Sequence, residues 1–146
     1  MRLVLDTNAL IAAFVARGTC SDLLEYAVRT HTVVCSWYIL DELREKLVDK
    51  FGVTASEARR AAALLAERFE QVEPAAVDAN ACRDSEDLPI LGTAVAGQCT
   101  CIVTGDRDLP GLGHYQEILI VSPGDFWRRE DDLERLGVRG PRPALE

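Results

Sequence analysis

The chain has 146 residues, 48% of them hydrophobic and 27% charged. That is the size and balance of one globular domain with a core of its own, which excludes a disordered chain. No apolar run nears the ~20 residues of a membrane helix, so a spanning protein is excluded too. Net charge is -8, from 16 basic and 24 acidic residues, which on its face disfavours a nucleic-acid partner. The opening Met1-Arg2-Leu3-Val4-Leu5 meets an acid at Asp6, too early for the apolar core of a secretion signal. A cytoplasmic protein is expected.

Arg2–Leu5 reads as a short apolar strand, ended by the turn and cap chemistry of Asp6-Thr7-Asn8. A helix over 9–16 is broken at Arg17-Gly18, and Thr19 with Asp22 resembles a capping box before helically spaced Leu23, Leu24, Ala27 and Val28. Thr32–Cys35 is a β-branched strand, with Ser36 as N-cap of the next helix. Ile39, Leu40, Leu43, Leu47 and Phe51 mark that helix's buried stripe, and Gly52 closes it. Thr54 and Glu57 form a second capping box before an Ala- and Leu-rich helix over 58–69. Residues 70–77 are a strand or an extended connection.

Asp84 to Asp87 is an acidic turn. A helix over 88–97 tolerates Pro89 only in its first turn. A strand over 100–103 leads into the tight loop Gly105-Asp106-Arg107-Asp108. The last clear strand is 117–121, and Ser122-Pro123 caps a short helix with Phe126 and Trp127. Residues 1–136 are expected to be a single domain and 137–146 a frayed tail. Apolar strands alternating with helices predict an α/β sandwich of three layers, its mostly parallel sheet of four to five strands flanked by helices. In such sheets, sites form beyond the carboxyl ends of the strands.

The acids fall at those ends. Asp6 follows the first strand; Asp106 and Asp108 follow the strand at 100–103. Glu42 stands at the rim of a buried helical stripe, and Asp84 and Asp87 lie at a helix entry. Without these six, 18 acids face 16 bases, a net of -2, so the rest of the chain is nearly neutral. Carboxylates on separate elements without a His ligand suit Mg²⁺ or Mn²⁺ rather than Zn²⁺. Such ions activate water and stabilise a leaving alkoxide, the chemistry of phosphodiester hydrolysis. Taken alone, each Asp is more often a turn former or helix cap, and Glu42 shares an ordinary solvated face with Asp41 and Glu45; the joint pattern carries the inference. Five cysteines cannot close a disulfide framework, and four of them sit beside apolar or small residues as buried free thiols do. His31 and His114 read as surface residues rather than a general base.

Leu5-Asp6-Thr7-Asn8, Leu40-Asp41-Glu42-Leu43, Arg83-Asp84 with Asp87, and Val103-Thr104-Gly105-Asp106-Arg107-Asp108-Leu109 together resemble the PIN domain. Within it the chain resembles the bacterial toxins of toxin–antitoxin systems related to VapC. The resemblance spans about residues 2–127. It implies a Mg²⁺- or Mn²⁺-dependent endoribonuclease whose acidic quartet falls on Asp6, Glu42, Asp87 and Asp106. Asp84 and Asp108 would be auxiliary acids near the metals, and Asn8 and Thr104 polar helpers. Arg83 and Arg107, adjacent in sequence to these acids, are the first candidates for phosphate contact. Leu88-Pro89 departs from the family, which often carries a polar or basic residue there. The implied partners are RNA and a small antitoxin with a basic segment. A homodimer through the helices between Thr19 and Phe69 is also expected. The fold can also serve as a non-catalytic RNA- or protein-binding module, which the retained acids disfavour. DNA-directed structure-specific nucleases of this fold carry long insertions that this chain lacks.

Overall fold

The computed structural model describes residues 1–15, 19–82, 84–105 and 113–135. Six strands form one sheet: β1 (Arg2–Leu5), β2 (Thr32–Cys35), β3 (Glu70–Gln71), β4 (Cys101–Val103), β5 (His114–Tyr115) and β6 (Ile118–Val121). Their order is β3-β2-β1-β4-β6-β5, and every pairing is parallel except β5 with β6. The chain runs from β1 outward on one side to β2 and β3, then returns to lay β4 on β1's other flank. The crevice at the carboxyl end of β1 and β4 is therefore a topological switch point. Leu3, Val4 and Leu5 are all but fully buried, as a central parallel strand covered on both faces requires.

Among the described residues six α-helices surround the sheet: α1 (Thr7–Val15), α2 (Thr19–Thr30), α3 (Trp37–Phe51), α4 (Ala55–Arg68), α5 (Leu88–Ala96) and α6 (Pro123–Arg135). α1 packs on α2 and α3, α3 on α4, α2 on α6, and α5 on β1 and β2. On α3 the stripe Ile39, Leu40, Leu43 and Leu47 is buried, each side chain stabilising the fold by about 2 kcal/mol. Phe51, expected to continue it, is 48% exposed, because it lies in the last turn beside the cap. Gly52 ends α3 in the left-handed region at φ 68°, its N–H donating to the Leu47 carbonyl. Thr54 caps α4 by accepting from the Glu57 N–H, and Ser122 caps α6 by accepting from the Asp125 N–H. Ser36 occupies the N-cap position of α3 but its side chain makes no capping bond. Its hydroxyl lies instead 2.8 Å from that of Thr93 on α5, with no exposure at all.

The expected elements stand, with three differences. The strand over 70–77 pairs only at Glu70 and Gln71; beyond Val72 the chain leaves the sheet edge and crosses α5. There the Ala75 N–H donates to the Gly92 carbonyl at 2.9 Å. A Cβ on Gly92 would stand 2.3 Å from the Ala75 oxygen, so only glycine permits the crossing. β5 was not expected, since a two-residue strand carries no periodic signal. α6, expected as a short helix, has 13 residues. The cap at Thr19, the break at 17–18 and the tail at 137–146 lie outside what the described residues and side chains show.

His31 is not a surface residue: its side chain is 1% exposed. Its Nε2 lies 3.1 Å from Glu130 Oε1, and the Tyr26 hydroxyl donates to Glu130 Oε2 at 2.9 Å. Phe126 and Trp127 close aromatic contacts around this group. The cysteine expectation holds for Cys35, Cys99 and Cys101, which are buried and free; Cys82 is free and half-buried. Burial pushes the Cys35 and Cys101 thiols up to about 12 and that of Cys99 to about 11.

Candidate active site

Seven polar or charged residues are buried among the described ones: Asp6, Thr7, Ser36, Asp87, Thr93, Thr104 and Glu130. Burying such groups costs free energy unless they are hydrogen-bonded. Asp6, Thr7, Ser36 and Thr104 directly follow the parallel strands β1, β2 and β4. Asp87 and Thr93 belong to the start and body of α5, which packs on β1 and β2. Six of the seven therefore gather at the carboxyl edge of the sheet, where α1 and α3 also begin; Glu130 lies apart, paired with His31 before β2.

Asp6 is 2% exposed. Leu5 pairs with Val103 in parallel register, so the next residue on each strand, Asp6 and Thr104, also come abreast. The Thr104 hydroxyl donates to Asp6 Oδ2, and the Ala9 N–H donates to Oδ1 at 2.8 Å. The Asp6 N–H is taken up by the Val103 carbonyl at 3.0 Å. Both carboxylate oxygens thus receive a donor. Asn8 is exposed on the first turn of α1, its Cβ 3.9 Å from where a Cβ on Gly105 would stand. That places it at the start of the loop after β4.

A second group of acids converges around Tyr38. Its hydroxyl donates to the Glu86 carbonyl at 3.1 Å, and the Glu42 carboxylate lies on the same cleft. Burial, reinforced by the charges of Glu42, Glu86 and Asp87, pushes the Tyr38 hydroxyl up to about 12. Glu42 receives Lys46 Nζ at 3.3 Å and is 18% exposed. Tyr38, Glu42, Lys46 and Glu86 line a cleft of about 440 Å³ with Asp41, Glu45, Asp49 and Lys50. Asp87 is 6% exposed at the junction of a short 3-10 turn, Ser85–Asp87, and α5. Its side chain makes no capping bond to α5. Asp84 is exposed and caps the 3-10 turn by accepting from the Glu86 N–H. The Cys82 thiol is raised by burial first, then by Asp87 and Asp84, which sets both acids beside it.

Of the residues singled out in the sequence, the structure joins Asp6 with Thr104 and sets Glu42 and Asp87 around one phenol. Among the described residues no three His, Cys, Asp or Glu side chains form a set that could hold an ion. Asp106, Arg107, Asp108 and Arg83 lie outside the described residues. Tyr38 was missed. An aromatic beside a buried stripe reads as packing, and nothing local in sequence shows that α3 faces the turn at Ser85–Asp87. Thr7 was passed over as turn chemistry, yet it is 1% exposed.

An α/β sandwich with buried carboxylates at its switch point sets oxygen donors where open parallel sheets build their sites. Residues 2–108 match the PIN domain family, and the chain belongs to it. A crystal structure of VapBC2 from Rickettsia felis, bound to a DNA fragment from their promoter, shares the fold with a TM-score of 0.62. The alignment covers 84% of this chain and 98% of that chain at 16% identity. No curated protein sequence matches the chain.

Proposed function

We propose that this PIN domain is a divalent-metal-dependent endoribonuclease and the toxin of a toxin–antitoxin pair. The observation that carries the reading is Asp6, a buried carboxylate held by two donors where β1 and β4 diverge. The donor set consists of oxygens alone, which fits a hard ion such as Mg²⁺ or Mn²⁺. Asp6, Glu42, Asp87 and Asp106 would hold it, with Asp84 and Asp108 as auxiliary acids. When bound, the ion supplies Lewis acidity to the scissile phosphate and to the attacking water.

The chain's own residues do the rest. Thr104 and the Ala9 N–H fix the Asp6 carboxylate, so that it need not reorganise when the substrate arrives. Asn8, exposed beside Gly105, orients water or phosphate. Arg83 and Arg107 take phosphate contacts. No side chain is required as a covalent nucleophile.

The toxin reading draws support from the fold shared with the VapBC2 structure. An antitoxin with a basic segment would complement the acids. Homodimerisation would use the apolar groove between α2 and α4, lined by Phe14, Leu24, Val28, Leu64 and Leu65. No helix among the described residues is long and apolar enough to cross a membrane; we place the protein in the cytoplasm.

End-labelled single-stranded RNA tests the reading. Cleavage with Mg²⁺ or Mn²⁺ should stop with EDTA and in Asp6→Asn. Cleavage that persists in either case would overturn it.

A further inference from the structure

We propose that Trp37 is a stacking platform for an unpaired base of the RNA substrate. The inference rests on the nuclease reading above and narrows its substrate to single-stranded RNA. Trp37 is 56% exposed, in the first turn of α3. Other large apolar side chains that stand exposed have a different setting: Phe14 and Leu64 line the groove between α2 and α4, and Phe51 ends α3. The second tryptophan, Trp127, packs against Tyr26 and Phe126. Trp37 makes no ring contact among the described residues.

Its place in the sheet says what would cover it. Arg2 pairs with Thr32 and Leu3 with Val33 in parallel register. Carried to the strand ends, that register brings Asp6 and Ser36 abreast on strands about 5 Å apart. Trp37 follows Ser36, so the indole stands at the rim of the edge that holds Asp6. Asp41, one turn further along α3, lines the acidic cleft. A nucleotide next to a phosphate at Asp6 therefore comes within reach of the indole. The surroundings offer little to attract the phosphates themselves. The chain carries a net charge of -8, Lys46 is taken up by Glu42, and Arg44 is taken up by Asp41. An acidic protein that grips an anionic chain must draw affinity from contacts that do not depend on charge. Stacking of a base on an aromatic face is such a contact, and every base has a face to offer. It requires a base free of its own partners, which an RNA duplex does not present.

Tryptophan emission reads the stacking directly. Single-stranded RNA of about ten nucleotides, titrated into the slowly cleaving Asp6→Asn protein, should quench part of the emission. Trp37→Ala in the same background should abolish the quenching and weaken RNA binding about tenfold. Trp37→Phe keeps a ring and should retain most of the affinity. Melting temperatures of both should stay near that of the parent, because the side chain is exposed. The same RNA annealed to its complement should leave the emission unchanged. Single-stranded RNA that binds without quenching, or binds equally well after Trp37→Ala, would overturn the platform while the nuclease reading stands. Unchanged RNA binding in Trp37→Ala together with loss of a dimer in light scattering would also overturn it, and would assign the ring to a protein contact. RNA that binds neither wild type nor Asp6→Asn would overturn both readings.

Discussion

His31 and Glu130 meet inside the protein, imidazole Nε2 3.1 Å from carboxylate, each side chain 1% exposed. The residue just before β2 is thereby tied to the middle of α6, almost a hundred positions later. Because the carboxylate can only accept, Nε2 carries the hydrogen. Tyr26 supplies a second donor to the same carboxylate. Removing the acceptor should cost far more than removing one donor. Glu130→Ala should destabilise the fold by about 3–5 kcal/mol, as when one partner of a buried pair is lost. Tyr26→Phe should cost about 1.5–3 kcal/mol. Urea denaturation of both variants checks the order; equal losses would contradict it.

The buried thiols make stability fall in alkali. Cys35 and Cys101 rise from an ordinary value of 9.0 to about 12 on folding. Between those values the unfolded chain ionises while the folded chain keeps its protons. Stability is therefore fully present below pH 9 and declines above it, by about 1.4 kcal/mol per pH unit for each thiol. Melting temperatures from pH 8 to 10.5 should show the decline, and a Cys35→Ala, Cys101→Ala variant should show a shallower one.

Asp6→Asn separates folding from chemistry. The amide oxygen can still accept from the Ala9 N–H, and the Thr104 hydroxyl can reverse to accept from the amide nitrogen. The variant should fold with a melting temperature close to wild type, lose the stabilisation Mn²⁺ gives, and cleave at least about a hundredfold more slowly. Thermal shift with and without Mn²⁺ provides the first two readings.

An antitoxin arginine placed among Asp6, Glu42, Asp87 and Asp106 would pair bidentately with two carboxylates. Co-expression with the adjacent gene product should suppress cleavage. Replacing the arginines of its basic end should release it. Inhibition that survives the loss of every such arginine would exclude this mode of silencing.

The groove between α2 and α4 gives the proposed dimer a specific test. Leu64 is 55% exposed and Phe14 43%, on an apolar surface with Arg29, Arg68 and Glu25 at its border. Leu64→Glu should convert a dimer to a monomer in light scattering at micromolar concentration. A wild-type monomer mass would end the proposal.

The fold was legible where burial writes a period. The Ile39-Leu40-Leu43-Leu47 stripe, the apolar strands and the caps at Thr54, Gly52 and Ser122 all act through near neighbours in sequence. Asp6 was legible because a strand followed by Asp-Thr-Asn has a local meaning. The Asp6–Thr104 pairing followed only in outline, since its register depends on β1 meeting β4 across 98 positions. His31 was misjudged for the same reason. Its partners Tyr26 and Glu130 belong to two helices, and nothing around Thr30-His31-Thr32 announces a buried imidazole. Tyr38 escaped because its value depends on a turn nearly fifty residues away.

The crossing of Ala75 over Gly92 has a consequence for how this protein can diversify. It pins the chain to α5 before the excursion through Asp78, Ala79 and Asn80, all exposed, and Tyr38 pins it again at Glu86. Between two such moorings, residues can be gained or lost without carrying Asp87 away from its place. Descendants of this sequence could therefore vary that excursion in length and charge while inheriting the chemistry unchanged, and an engineer could graft a peptide there for the same reason.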